Sequence, residues 1–312
     1  MPERGACMGG ISAVLSRVAE HGRFVLILGL VAGVLLPGLA VTLKPVAGEM
    51  IAFLLFLSAL RIGPRAVLGG LRDIGTSFTL VLAYQFAIPC LLALLLLAAG
   101  FSGELALAMI LMVAASPMSS SPNLTIMTGH EPAPALRLLI IGTALLPLTV
   151  IPALWLSPAA DSLSLVFTVS LRLLMLIVVA VGAAFAIRHF LWKSPEPASY
   201  RALDGLAAII MAVVVIGLMS AVGPALLNKP LVLAGVLALS AAMNFGLQAG
   251  AYAALRNAGT ARVAYAIVAG NRNMGLFLAV LPPETIDRIL LFLGCYQISM
   301  YLTPTLMRRL YR

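Results

Sequence analysis

No aspartate, glutamate or histidine stands in the interior of any long apolar run of this sequence. The 11 acids are Glu3, Glu20, Glu49, Asp73, Glu104, Glu131, Asp161, Glu196, Asp204, Glu284 and Asp287, and each falls in a tail, a loop or the end of a run; so do the 3 histidines, His21, His130 and His189. A proton relay through a bilayer needs such groups at depth. An intramembrane hydrolase needs one to activate its nucleophile or hold a metal. Neither chemistry has its parts here, and no catalytic residue, cofactor or resident metal is expected. Cysteine is scarce as well: Cys7, Cys90 and Cys295 are too scattered for a disulfide framework or a metal site and read as packing residues. No small-residue cleavage site precedes the first apolar run, so residues 1–23, with Arg4, Arg17 and Arg23, read as a tail and not as a targeting peptide.

What the chain has in place of charge is hydrocarbon. Of its 312 residues 62% are hydrophobic and 10% charged, with a mean hydropathy of +1.09, against about 45–50% and about 25% in soluble domains. The hydrophobic core of a bilayer takes about 20 apolar residues per helical span. Spans are expected near 24–43, 47–60, 76–99, 103–128, 135–156, 163–187, 205–223, 230–254, 263–281 and 285–307, about ten in all, with residues 308–312 as a C-terminal tail. The 14 methionines and most aromatics read as packing.

Most of the 20 Lys and Arg lie in the N-terminal tail, the 61–72, 188–204 and 255–262 loops and the C-terminal tail, whereas the opposite side carries Lys44, Lys229 and Arg288. By the positive-inside rule both termini are then cytoplasmic. The net charge of +9 reports topology and contact with anionic lipid, not nucleic acid, because no basic stripe has interleaved aromatics. With arginine far more frequent than lysine and no transit peptide, a bacterial inner membrane is the expected location. Nothing in the sequence specifies an oligomeric state.

Three cations remain inside spans: Arg137, Arg172 and Arg272. The first two read as snorkelling or facing a crevice. Arg272, in "VAGNRNMGLF", is about 13 Å from either interface, where an arginine costs about 2.5–3.5 kcal/mol. Either it staples two half-helices by donating to freed carbonyls, or its counter-ion is an anionic substrate. A second interruption, "SPMSSSPNLTIMTG", sets Pro117 and Pro122 in the fourth span, where each removes a donor and clashes with the turn before it. Irregular backbone at membrane depth is tolerated only against protein or a water-filled cavity. Asn123 and Asn273 are 150 residues apart, and Pro152 and Pro304 are 152 apart. Two five-span repeats, 24–156 and 163–307, follow; five being odd, they are inverted. Paired broken helices in inverted repeats point to a transporter's midplane site.

"YQFAIPCLLALLLL", "SSSPNLTIMT" and "GNRNMGL" resemble the corresponding segments of the bile acid:sodium symporter family. The resemblance implies ten spans, two crossing broken helices, a core of spans 3, 4, 5, 8, 9 and 10, a moving panel of spans 1, 2, 6 and 7, and sodium-driven uptake of organic anions such as bile salts, pyruvate and other small carboxylates. It places Gln85 and Asn123 at sodium sites and Asn273 near substrate. The departures are as informative: Pro122 replaces a serine, Leu136 and Ile140 replace ligating hydroxyls, Val268 replaces a glutamate, and Arg272 replaces a glutamine. Sodium prefers hard oxygen ligands, so the expected mechanism is alternating access for a small organic anion with Arg272 as a fixed cation in sodium's stead. A symporter with sites rebuilt from Ser121, Asn123, Asn271 and backbone carbonyls stays open because Gln85 is retained, as does a non-transporting receptor. Further substrate contacts are expected from Ser119, Ser120, Ser121, Asn271, Tyr296 and Gln297, each of which could instead serve ordinary interhelical hydrogen bonding.

Overall fold

A computed structural model describes residues 3–69, 74–157, 163–193 and 196–311; Arg72, Asp73, Asp161 and Arg312 lie outside them. Every named element is a helix, and among the described residues the extended pairing is limited to one isolated bridge. Among the described residues seven helical stretches are long and apolar enough to cross a membrane, or eight if a bent pair is counted as one span. The chain is an all-α, multi-pass membrane protein. Its exterior agrees with that: on one long helix Leu171, Leu174, Met175, Val178 and Val179 are all exposed. They recur at helical spacing and form a face suited to lipid.

The N-terminal residues are helical. α1 (Glu3–Glu20) meets α2 (Gly22–Leu35) at a bend of 78°. Both pack on α11 (Pro197–Leu218). A Cβ at Gly205 would overlap the Leu15 carbonyl, and one at Gly33 would come 2.7 Å from the Met219 Cβ, so missing side chains let the backbones approach. The expected first span stops early: Pro37 cannot extend α2, Leu36 leaves the helical region (φ −117°, ψ 68°), and α3 (Pro37–Leu43) belongs instead to the apolar stretch Pro37–Pro64. α4 (Ala47–Gly69) breaks at Gly63, whose φ of 72° suits glycine. It packs on α10 (Leu163–Phe190) and α11, to which Arg61 is tied by a two-pronged ion pair with Asp204.

A second group of helices surrounds the two breaks. α5 (Ile74–Leu82) passes through a π turn (Ala83–Ala87) into α6 (Ile88–Ala98). α7 (Glu104–Ala114) and α8 (Ser121–Met127) are separated by the first break, and α9 (Ala133–Trp155) follows. After α12 (Val222–Asn228) and α13 (Pro230–Ala254), α14 (Arg262–Gly270) and a 3₁₀ turn (Met274–Ala279) flank the second break, and α15 (Pro283–Leu306) closes the chain. Neither flank of either break is long enough to cross 30 Å by itself. α7 is nevertheless among the most buried elements, with Ala106, Ala108, Ile110, Leu111, Met112 and Ala114 at 0–1% exposure.

Candidate functional site: a bridge between two helix breaks

The two breaks meet. Pro117 and Arg272 form an antiparallel bridge in which Met118 N–H donates to the Asn271 carbonyl at 3.0 Å and Asn273 N–H donates to the Ser116 carbonyl at 2.7 Å. Each break thereby satisfies part of the backbone the other exposes. At membrane depth an unpaired backbone group costs several kcal/mol.

The carbonyls left over converge on one side chain. α7 ends at Ala114, with Ala115 as its C-cap, and α14 at Gly270, so two helix C-termini, each the negative end of a helix dipole, face the crossing. Arg272 Nη1 donates to the Ala115 carbonyl at 3.2 Å and Nε to the Ala269 carbonyl at 3.1 Å. Its third partner is supplied by the π turn. Ile88 N–H donates five residues back to Ala83, Pro89 has no N–H to give, and the Tyr84 carbonyl is left to accept Arg272 Nη2 at 3.1 Å. The guanidinium carbon also lies 5.2 Å from the centre of the Tyr84 ring. Arg272 is 1% exposed. In this conformation its charge is met by backbone oxygen and is almost wholly enclosed.

Tyr296 completes the bridge, accepting from Arg272 N–H at 2.7 Å and donating to the Gly270 carbonyl at 2.6 Å. Gln297 is turned away and donates to the Tyr301 hydroxyl at 2.7 Å. Asn271 is fully buried, with its carboxamide between the Ile267 carbonyl and the Thr303 hydroxyl. Asn273, Ser119 and Ser120 are half-buried at the edge of the bridge, while Asn123 stands exposed on α8. Ser121 is buried. Its hydroxyl, that of Ser116 and Gln85 Oε1 have no hydrogen-bond partner among the described residues, although Gln85 Nε2 donates to the Gly142 carbonyl at 3.0 Å. Val268 packs at 0% exposure among Tyr84, Leu138 and Ile141, an apolar setting that offers a cation no side-chain ligand. Arg172 reaches the Val280 carbonyl at 3.1 Å, next to the second break.

A buried polar network behind the crossing was missed in the sequence reading. Asn244 donates to the Gly270 carbonyl at 2.7 Å and accepts from Gln248 at 2.6 Å; Gln248 also donates to Thr303 at 3.2 Å and accepts from the Tyr311 hydroxyl at 2.8 Å. Asn244, Gln248 and Thr303 are wholly buried. The signal was the recurrence of Ser240, Asn244 and Gln248 every four residues, which puts three polar side chains on one face of α13.

Two crevices lie at opposite ends of α15, roughly 27 Å apart along its axis. One, of about 410 Å³, runs between the α4–α11 side, including Gly48 and Leu218, and the break and α15, including Leu278 and Leu290. Lys44 and Asp287 are ion-paired beside it at 2.6 Å. The other, of about 420 Å³, is lined by Arg23, Met127, Pro304, Thr305 and Arg308.

No family model matches the chain, and no curated protein matches it.

Proposed function

We propose that the protein is a secondary transporter of a small organic anion, working by alternating access in a cell membrane, bacterial inner membrane by preference, with both termini cytoplasmic and with Arg272 as the resident cation at its crossing. The observation that carries this reading is the bridged pair of breaks with a guanidinium set among three backbone carbonyls. Ion-coupled transporters use such broken helices to hold a cation at the midplane; here the chain carries its own.

Ten spans in two inverted repeats are part of the same reading. The seven long stretches, the bent α1–α2 pair and the two broken segments make up that number. Packing supports the relation between halves: α2 lies on α11 and α4 on α10, so the first span of each half meets the second span of the other. Ser77 and Gln85 in the third span are spaced like Ser240 and Gln248 in the eighth, 163 residues later, and all four are wholly buried. The resemblance to the bile acid:sodium symporter family adds the division into a core and a panel, and the crevices at both ends of their boundary suit a panel that moves.

Uptake of radiolabelled pyruvate and of a bile salt into proteoliposomes tests this, in sodium and in choline media of equal ionic strength. Saturable uptake in both media supports the proposal. A second reading, sodium symport through rebuilt sites, is favoured by the unpartnered oxygens of Gln85, Ser116 and Ser121, and uptake confined to sodium would select it. Absence of saturable uptake in either medium would return the chain to the receptor class.

A further inference from the structure

With Arg272 enclosed, an anion approaching the molecule must meet its first positive charge elsewhere. We propose that Arg23 and Arg308 together form a binding site for an oxyanion, a carboxylate or a phosphate, in the crevice where α2 begins and α15 ends. The inference goes beyond the transport reading and does not depend on it.

The two arginines stand 285 positions apart in the chain and line the same crevice of about 420 Å³, within the usual range for small-molecule sites. Both are exposed, and among the described residues neither has a carboxylate partner: the ion pairs there are Lys44–Asp287 and Arg61–Asp204. Two guanidinium groups lining one crevice repel each other, and an oxyanion between them reverses the sign of the interaction. The planar donor fork of each matches a carboxylate or phosphate edge with two bonds.

The rest of the lining defines the remainder of the ligand. Met127 and Pro304 give apolar walls and Thr305 a hydroxyl, which suits a short apolar body behind the charged group. Met127 is one turn beyond the exposed Asn123 on the same face of α8. The crevice at the other end is built differently. It contains Lys44, Glu49 and Asp287, with the lysine already paired, so the preference for anions belongs to one end of the molecule.

Arginine-selective modification by phenylglyoxal, read residue by residue by mass spectrometry, tests this without a known substrate. The full chain is placed in phosphatidylcholine nanodiscs and treated with and without butyrate or inorganic phosphate; a second preparation contains phosphatidylglycerol and no added anion. Protection of Arg23 and Arg308 by butyrate or phosphate, with Arg201 and Arg256 unaffected, identifies a soluble oxyanion as ligand, and modification should slow about tenfold at ten times the dissociation constant. Protection confined to phosphatidylglycerol nanodiscs identifies a lipid headgroup with the same chemistry. In Arg23→Gln the protection of Arg308 should disappear, and in Arg308→Gln that of Arg23. Unprotected arginines in every preparation, equal protection at Arg201 and Arg256, or protection of each arginine that survives loss of the other would overturn the proposal.

Discussion

Replacing Arg272 by glutamine tests whether a guanidinium does a metal ion's work. The substitution removes three hydrogen bonds from a charged donor to the Ala115, Ala269 and Tyr84 carbonyls, each worth about 1.5–3 kcal/mol net. Against that gross loss of about 5–9 kcal/mol stands relief from burying a charge with no carboxylate partner, which costs several kcal/mol. The expected net destabilisation in choline chloride is therefore about 2–4 kcal/mol. Sodium should change the outcome for the variant alone. The substituted side chain would present one amide oxygen beside three freed carbonyls, a set of hard ligands of the kind such cations prefer, and binding to the folded state would restore about 1.4 kcal/mol at ten times the dissociation constant and about 2.7 kcal/mol at a hundred times. The assay is thermal unfolding in nanodiscs at one scan rate, since the unfolding of such proteins is commonly irreversible. Arg272→Lys, with the charge kept but the fork lost, should fall between the two. An R272Q protein as stable as the parent in choline would refute the carbonyl clamp, and one that is destabilised but indifferent to sodium would refute the equivalence of guanidinium and ion.

Three further outcomes follow from the geometry. A Cβ at Gly142 would lie 2.5 Å from Gln85 Oε1 and 2.6 Å from Pro117 Cδ, so Gly142→Ala should cost about 1–3 kcal/mol as overpacking does, and less in a Gln85→Ala background; equal costs in both backgrounds would show that the contact is relieved elsewhere. Asn244→Leu removes the donor to the Gly270 carbonyl and the acceptor for Gln248. With membrane hydrogen bonds worth about 0.6 and at most about 1.7 kcal/mol each, a loss of about 1–3 kcal/mol is expected by thermal unfolding, and an unchanged midpoint would remove the network from the account. Lys44 and Asp287 are partly exposed, so Lys44→Ala should shift stability by no more than about 1 kcal/mol; yet a disulfide between cysteines at 44 and 287, in a chain freed of Cys7, Cys90 and Cys295, should stop uptake until it is reduced. Undiminished uptake through the cross-linked protein would mean that this crevice need not open.

The breaks were legible because their causes are local. Pro117 and Pro122 stand among four serines and Arg272 among asparagines and glycines, and this polar company marks the breaks, whereas Pro147 and Pro152, in an apolar run, lie inside the continuous α9. That the two breaks hydrogen-bond to each other is a tertiary fact with no sequence signature. Pro89 announced an orphaned acceptor about one turn back, but a regular helix would free the Gln85 carbonyl; the π turn shifts the vacancy to Tyr84, and neither that shift nor the donor that fills it is written in the sequence. The early end of α2 was hidden by unbroken hydrophobicity, which registers depth in the membrane but not direction, although Pro37 marked the place. α1 was missed because its helix has little amphipathic pattern and is held by close approach to Gly205, a contact that appears as nothing more than one glycine in the sequence. Gln297 and Tyr296 adjoin in sequence, but consecutive residues on a helix point about 100° apart, and Tyr296 alone reaches the crossing.

The bridge also bears on how the protein is made. Ser116 and Ala115 wait for partners that lie more than 150 residues downstream, a delay of about 10–30 s at ordinary rates of synthesis. Until residues 271–273 are made, the Ser116 and Ala115 carbonyls lack these partners, and the first half cannot complete the bridge alone. A chain that stops after α9 should thus be recognised and degraded as unfinished, and co-expressed halves should accumulate only together. Quality control, on this view, reads the arrival of residues 271–273 as the signal that the molecule is whole.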